Sequence, residues 1–252
     1  MAKRDEIIRY CNDLLNASGI QDSLPIGLQV EGCEDVTKIV TGVSACRELF
    51  EEAARRGAQM VIVHHGMFWD GQSRVIEGVG KGRIKTLLDN DITLLGYHLP
   101  LDLHATVGNN AMIAKQLGLV DMAPFGEYHS IDIGFKGRFA TPRPIAEMKL
   151  MLTRMFGRAP IAYEYGCDEI CAVGIVSGGA AGLVDQAVAQ GLDAYVTGEV
   201  AEPTMNYCRE ARVNFYGCGH YYTEKVGVQA LGADLARQFG VEVEFVEIAN
   251  EV

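Results

Sequence analysis

The sequence predicts an α/β protein made of two similar α/β lobes related by internal duplication, with a dinuclear metal site between them. Three observations lead there. Strand-like and helix-like periodicities alternate along both halves of the chain, histidines and carboxylates recur directly after strand-like runs, and the spacing of key positions in one half repeats in the other. Alternating strands and helices specify a layered α/β architecture.

Bulk properties set the outer bounds. At 252 residues the chain is at the upper edge of what one core supports, so one large or two compact domains are expected. With 48% hydrophobic and 22% charged residues it reads as an ordinary soluble globular protein. No apolar run approaches the roughly 18 residues of a membrane span. Lys3 and Arg4 are followed by Asp5 and Glu6 rather than an apolar stretch, so no secretory signal is read and a cytoplasmic location is expected. The formal charge of −11, without a Lys/Arg block, speaks against a nucleic-acid surface, which draws affinity from neutralising phosphates. Seven cysteines without a C-x-x-C pair argue against a disulfide framework or a zinc ribbon. Cys218, although two residues from His220, reads as a small buried residue.

The elements follow in order. Lys3 to Ala17 places Ile7, Ile8, Tyr10, Cys11, Leu14 and Leu15 at helical spacing, which predicts an amphipathic helix. Lys38 to Val43 predicts a strand, Arg47 to Arg56 a helix, and Gln59 to Val63 a fully buried strand that ends at His64 and His65. A helix over Arg83 to Asn90, a strand over Ile92 to Tyr97 and a helix over Asn109 to Leu117, closed by Gly118, complete a first lobe of residues 1–118. Residues 119–166 form a connecting segment with I-D-I-G-F-K-G-R-F (Ile131 to Phe139), a helix near Ile145 to Met155 and a strand near Ile161 to Tyr165. In the second lobe, 167–252, strands are expected at Ile170 to Val176, Ala194 to Thr197, Asn214 to Tyr216 and Val241 to Glu247. Helices fall at Leu183 to Gln190, Glu202 to Arg212, and from the G-C-G-H turn to Phe239. The Gly-rich insertion Met67 to Gly82 reads as a mobile lip over a cleft.

The two halves correspond position by position. Gly57 precedes His64 by seven residues, as Gly191 precedes Gly198, which sets H-H-G opposite T-G-E (Thr197 to Glu199). His98 is followed four residues later by Asp102 and twenty later by Gly118; His220 is followed four later by Glu224 and twenty later by Gly240. Each half thus carries an H-x-x-x-carboxylate element between a strand and a helix, the mark of a duplication.

Ligands of open α/β sheets gather at the carboxyl ends of strands. There this sequence places V-I-V-H-H-G (Val61 to Gly66), G-Y-H-L-P-L-D (Gly96 to Asp102) and G-C-G-H-Y-Y-T-E (Gly217 to Glu224). Imidazole and carboxylate together suit Zn, Fe, Mn, Co or Ni rather than Ca, and a pair of such ions activates water. Adjacent His64 and His65 would point to opposite faces of a regular strand, so joint binding requires the chain to turn there, which Gly66 allows. V-S-G-G-A-A-G (Val176 to Gly182) could cradle phosphate through backbone N–H groups or serve as a tight strand-to-helix turn. Lys81, Arg83, Arg47 and Lys225 are further candidate phosphate partners.

V-I-V-H-H-G, G-Y-H-L-P-L-D with the following G-N-N-A, V-T-G-E and G-H-Y-Y-T-E resemble, in order and spacing, the GTP cyclohydrolase I type 2 homologues, the YbgI-like dinuclear metal proteins. I-G-L-Q-V-E-G (Ile26 to Gly32) resembles that family's N-terminal signature, with Ile26 where Asn is usual, a departure outside the ligand set. The resemblance covers essentially the whole chain. It implies the metal ligands His64, His65, Asp102, His220 and Glu224, with Glu224 bridging two divalent ions, and a toroidal homohexamer. It also implies a small-molecule substrate, GTP or another nucleotide, whose guanine imidazole ring would be opened hydrolytically by metal-activated water. His98, outside the implied ligand set, is expected to act as general acid or base, or to have a structural role. His104 is a second candidate for that part, and His129 is expected to be unrelated. The alternative is a metal-handling or regulatory protein with the same ligands and no GTP turnover.

Overall fold

Two sheets organise the chain. The computed structural model describes residues 1–252. By its internal contacts the chain forms two compact units, residues 1–101 with 227–249, and residues 102–226 with 250–252.

The first unit begins with strand β1 (Ala2–Lys3), helix α1 (Arg4–Leu14) and a single 3-10 turn at Ala17–Gly19, followed by β2 (Gly27–Val30) and β3 (Asp35–Val36). Then come β4 (Lys38–Ser44), α2 (Arg47–Arg55), β5 (Met60–His65), α3 (Gly78–Asp89), β6 (Thr93–Gly96) and the one-turn helix α4 (Leu99–Asp102), whose last residue belongs to the second unit. The second unit continues with α5 (Asn109–Leu117), β7 (Val120–Tyr128), β8 (Ile131–Pro144), α6 (Ile145–Phe156), β9 (Ile161–Glu164) and β10 (Glu169–Val176). It goes on through α7 (Val184–Ala189), β11 (Ala194–Thr197), α8 (Thr204–Ala211), β12 (Asn214–Gly217) and α9 (His220–Phe239). Helix α9 is divided between the units at Val226/Gly227, and the last strand, β13 (Glu242–Phe245), belongs to the first unit.

The sheet of unit 1 has the order β13-β4-β5-β6-β2. β13, β4, β5 and β6 are parallel and β2 is antiparallel to β6. β4 to β6 read as near-continuous apolar runs because both faces of a parallel sheet are covered. The core gathers Val40, Val61, Val63 and Leu94 from the strands with Leu49, Phe50 and Ala53 of α2 and Leu87 of α3. The amphipathic spacing of α2 thus reflects the face it buries.

The sheet of unit 2 has the order β7-β8-β10-β11-β12-β9. β10, β11 and β12 are parallel, and β8 and β9 flank them antiparallel. Its core joins Ile113, Ala114 and Leu117 of α5, Met148, Leu152 and Phe156 of α6, and Val173, Ile175, Val196 and Tyr216 of the central strands.

Several expectations needed revision. The connecting segment of residues 119–166 contains a long hairpin, β7 with β8, that is continuous with the sheet of β10 to β12. In β8 the alternation of Ile131, Ile133, Phe135 and Phe139 is the strand signal, and the hairpin turn places His129 and Ser130 at φ 48° and 65°. The C-terminal strand β13 pairs in parallel with β4 at the edge of the first sheet rather than with its sequence neighbours. The Gly-rich insertion is helical from Gly78 onward, so α3 starts earlier than its apolar periodicity indicates. Each interior glycine costs such a helix roughly 1 kcal/mol relative to alanine, and packing of Leu87 and Ile84 into the core offsets this.

Phe50 is fully buried in the unit 1 core. Replacing it with alanine is expected to cost about 3–5 kcal/mol, read as a lowered urea midpoint; an unchanged midpoint would contradict this packing.

Candidate functional site

In unit 1 the parallel ladders Gly42↔Val63 and Val63↔Gly96 align the carboxyl ends of β4, β5 and β6. His64 and His65 close β5, and His98 lies between β6 and α4. The three rings cluster, with centroids 4.7 Å apart for His64–His65, 4.9 Å for His64–His98 and 5.6 Å for His65–His98. One ligand nitrogen from each lies within 4.8 Å of the others, an arrangement that could hold a metal ion. The strand runs on through His65, so the turn expected between the two histidines is absent. Their rings still meet because His65 is the terminal ladder residue, paired with Ser44, and no further rung enforces alternation.

The imidazoles are oriented through Nδ1. His64 Nδ1 lies 3.0 Å from the Tyr97 carbonyl oxygen, and His98 Nδ1 lies 2.9 Å from Asp22 Oδ1. Neither oxygen can donate, so each Nδ1 carries the proton and the lone pair of the neutral ring sits on Nε2. His65 Nδ1 is 3.0 Å from Ser44 Oγ, a hydroxyl that can donate or accept. Asp22 also accepts from the backbone N–H groups of Ser23 (2.7 Å) and Leu99 (2.8 Å), and its side chain is 1% exposed. Burial pushes its carboxyl upward, but the His98 hydrogen bond and charge, with the two backbone donors, outweigh this and hold it below the ordinary range.

Gln29, in the I-G-L-Q-V-E-G segment, fixes the loops around these rings. Its Oε1 accepts from Met67 N at 2.7 Å, and its Nε2 donates to the Pro25 carbonyl at 2.9 Å. A Cβ on Gly66 or Gly96 would come within 2.1 or 2.5 Å of Gln29 Nε2, so a side chain at either position would displace the Gln29 amide from these contacts. That is the role of Gly66, in place of the turn expected from it.

In unit 2, Asp102 ends α4 and is buried. Its Oδ1 accepts from Asn109 Nδ2 at 2.9 Å and from Ser177 Oγ at 3.0 Å. His220 opens α9 at the carboxyl end of β12, with Nδ1 2.6 Å from Glu199 Oε1 and Nε2 3.1 Å from Glu224 Oε2. Glu224 meets the ring because residues four apart share a helix face, and it is buried. Burial opposes a charge on His220, but the hydrogen bond and charge of Glu224, then those of Glu199, prevail and raise its pKa to about 9. Gly178, at φ +67°, passes so close that a Cβ there would lie 2.2 Å from Glu224 Oε1.

Two N–H groups at the start of the Val176 to Gly182 loop are turned inward. The Ser177 N–H donates to Asn110 Oδ1 and the Gly178 N–H to Thr223 Oγ1, so these donors are committed inside the protein. Cys218 is buried and burial pushes its thiol upward, in keeping with a packing role. His129 is an exposed turn residue beside Tyr128, and His104 contacts the backbone of Thr106 and Val107. The supporting residues Asp22, Ser44, Gln29, Asn109 and Ser177 were not singled out by sequence reasoning, although Gln29, Asn109 and Ser177 lay in segments that carried a signal. No helix is long and apolar enough to cross a membrane.

Fold and side chains together define a mixed α/β protein whose His/Asp/Glu groups, at the carboxyl ends of strands, could hold metal ions. The chain belongs to the Duf34/NIF3 (NGG1p interacting factor 3) family, whose model matches residues 2–251. A relative from Escherichia coli (strain K12), named GTP cyclohydrolase 1 type 2 homolog, is 43% identical over 249 residues, 98% of this chain and 99% of its own. One of the same name from Pseudomonas aeruginosa is 42% identical over 244 residues, covering 97% and 96%. Among solved structures, the structural-genomics protein ybgI superposes with TM-score 0.92 at 42% identity, with both chains fully covered.

Asp22→Ala removes the acceptor for His98 and for two backbone N–H groups in a buried setting. It is expected to cost about 3 kcal/mol in chemical unfolding; a loss under about 1 kcal/mol would mean that the pair behaves as an exposed one.

Proposed function

We propose that this chain is a divalent-metal-dependent hydrolase acting on a small molecule, with GTP or another nucleotide as the candidate substrate. The observation that carries the reading is the anchoring of His64, His98 and His220 through Nδ1 by oxygens that can only accept. Metal-binding histidines are held in this way, since a fixed Nδ1–H leaves Nε2 as the ligand atom and raises its basicity; at His220 an ion would take the place of the Nε2 proton that faces Glu224. The donor chemistry fits: imidazoles with buried carboxylates suit borderline divalent ions.

The assigned ligands are His64, His65, Asp102, His220 and Glu224, with Glu224 as the bridging carboxylate. This set follows the family resemblance. Two ions so held would supply Lewis acidity and make water acidic enough to ionise near neutral pH. Residues of the chain supply the rest. His98, oriented by Asp22, exchanges a proton at Nε2 with water or substrate. Asp22 fixes the tautomer that makes this possible. Asn109 and Ser177 hold one carboxylate oxygen of Asp102 and so orient the other.

Two structural proposals go with this reading, a toroidal homohexamer, from the family resemblance, and an internal duplication, from the matched spacing of the two halves. The latter is supported by the recurrence of strand-helix-strand-helix-strand in β4 to β6 and β10 to β12.

Elemental analysis of the purified protein is expected to find about two divalent transition-metal ions per chain, most of them lost in Glu224→Ala without loss of folding. Protein that cannot be loaded with metal would overturn the reading. His98→Gln is expected to keep its metal while hydrolysis of GTP, followed by formate release, falls about 100-fold or more. Loss of metal from that variant would instead make His98 a ligand, as its place beside His64 and His65 also permits.

A further inference from the structure

A cavity of about 580 Å3 in unit 1 is lined by the Met67–Ile76 segment and the first turns of α3. Its size is typical of small-molecule sites, about 300–1,000 Å3. Trp69 is a shared wall. Its ring lies 5.1 Å from that of His98 and 6.0 Å from that of His65, and its Nε1–H donates to the Gly66 carbonyl at 3.1 Å, which sets the plane of the indole. Whatever lies on the cavity side of Trp69 is therefore one side chain away from both imidazoles.

The remaining lining combines two guanidinium groups, Arg74 and Arg83, with a single carboxylate, Asp70, amid apolar Val75, Ile76 and Val79. Arg83 is half-buried in this wall, and the groups that a planar guanidinium fork recognises best are carboxylate and phosphate oxygens. In a chain of net charge −11, two cationic groups at one cavity mark a local reversal of sign. A flat indole beside them offers a stacking face to a planar ring.

We propose that this cavity binds a small organic anion bearing a planar ring, with the ring against Trp69 and the acidic group against Arg83, and that it holds the substrate of the neighbouring imidazoles. The last clause rests on the hydrolase reading above; binding itself does not. The site is built from residues 67–84 and contains none of the candidate ligands.

Trp69 is the sole tryptophan of the chain, so fluorescence excited selectively at tryptophan, beyond tyrosine absorption, reports on this wall. The test titrates the purified protein, as isolated and after chelation, with GMP, guanosine and inorganic phosphate, and equilibrium dialysis repeats the GMP series. The expected result is a saturable change in Trp69 emission with GMP in both preparations, weaker binding of guanosine and of phosphate alone, and unchanged metal content in Arg83→Met. Arg83→Met is expected to weaken GMP binding about tenfold or more, with partial recovery in Arg83→Lys, which keeps the charge but loses the planar fork. Far-UV circular dichroism confirms folding, and Arg74→Met serves as the second variant should Arg83→Met fail to fold, with weakened binding again expected. Absence of saturable binding, or equal affinity in the folded arginine variants, would overturn the proposal. Metal uptake without GMP binding would sink this site and leave the hydrolase reading standing; GMP binding by a protein that takes up no metal would do the reverse.

Discussion

Everything at the candidate site depends on oxygens that grip imidazole nitrogens. A histidine ring free to rotate, with its proton on either nitrogen, is a poor ligand and an ill-aimed base. Here the Tyr97 carbonyl and the carboxylates of Asp22 and Glu199 each take an Nδ1–H, and those contacts fix ring, tautomer and working atom at once. The parallel ladders of β4, β5 and β6 make this possible in unit 1, since they bring His64, His65 and His98 to one edge of one sheet.

That arrangement demands close approach, and glycine supplies it. Gly66 and Gly96 leave room for Gln29, whose amide bridges Met67 and the Pro25 carbonyl and so holds the loop after the two histidines. Gly178 does the same in unit 2, where its bare Cα lets the backbone pass Glu224. At these positions the glycines answer to sterics at the site more than to chain flexibility.

Much of the site was legible in the chain. Histidines directly after buried apolar runs mark strand ends in an α/β sheet, and the H-x-x-x-carboxylate spacing makes a helical neighbour of Glu224 and His220, as the structure bears out. The strand Ala194–Thr197 and the helix Asn109–Leu117 could be bounded from pattern alone, because caps and periodicity are local. The helix start at Gly78 could not, since local propensity disfavours it and only burial of the later turns offsets that cost. The β7–β8 hairpin was likewise obscured, with Pro124 and Gly126 interrupting the pattern of its first strand.

By itself, then, the sequence determined the alternation of strands and helices, the family, and which imidazoles and carboxylates stand at strand ends, all of them properties set by neighbours within a few residues. The tertiary structure alone decided that Asp22 holds His98 across 76 positions, that Ser177 holds Asp102 across 75, and that β13 returns to pair with β4. It also decided that Trp69 and Arg83 share a cavity. Hydrogen bonds and packing between residues far apart in the chain form only once the sheets bring them together, and no local pattern encodes which distant partner will satisfy a buried polar group.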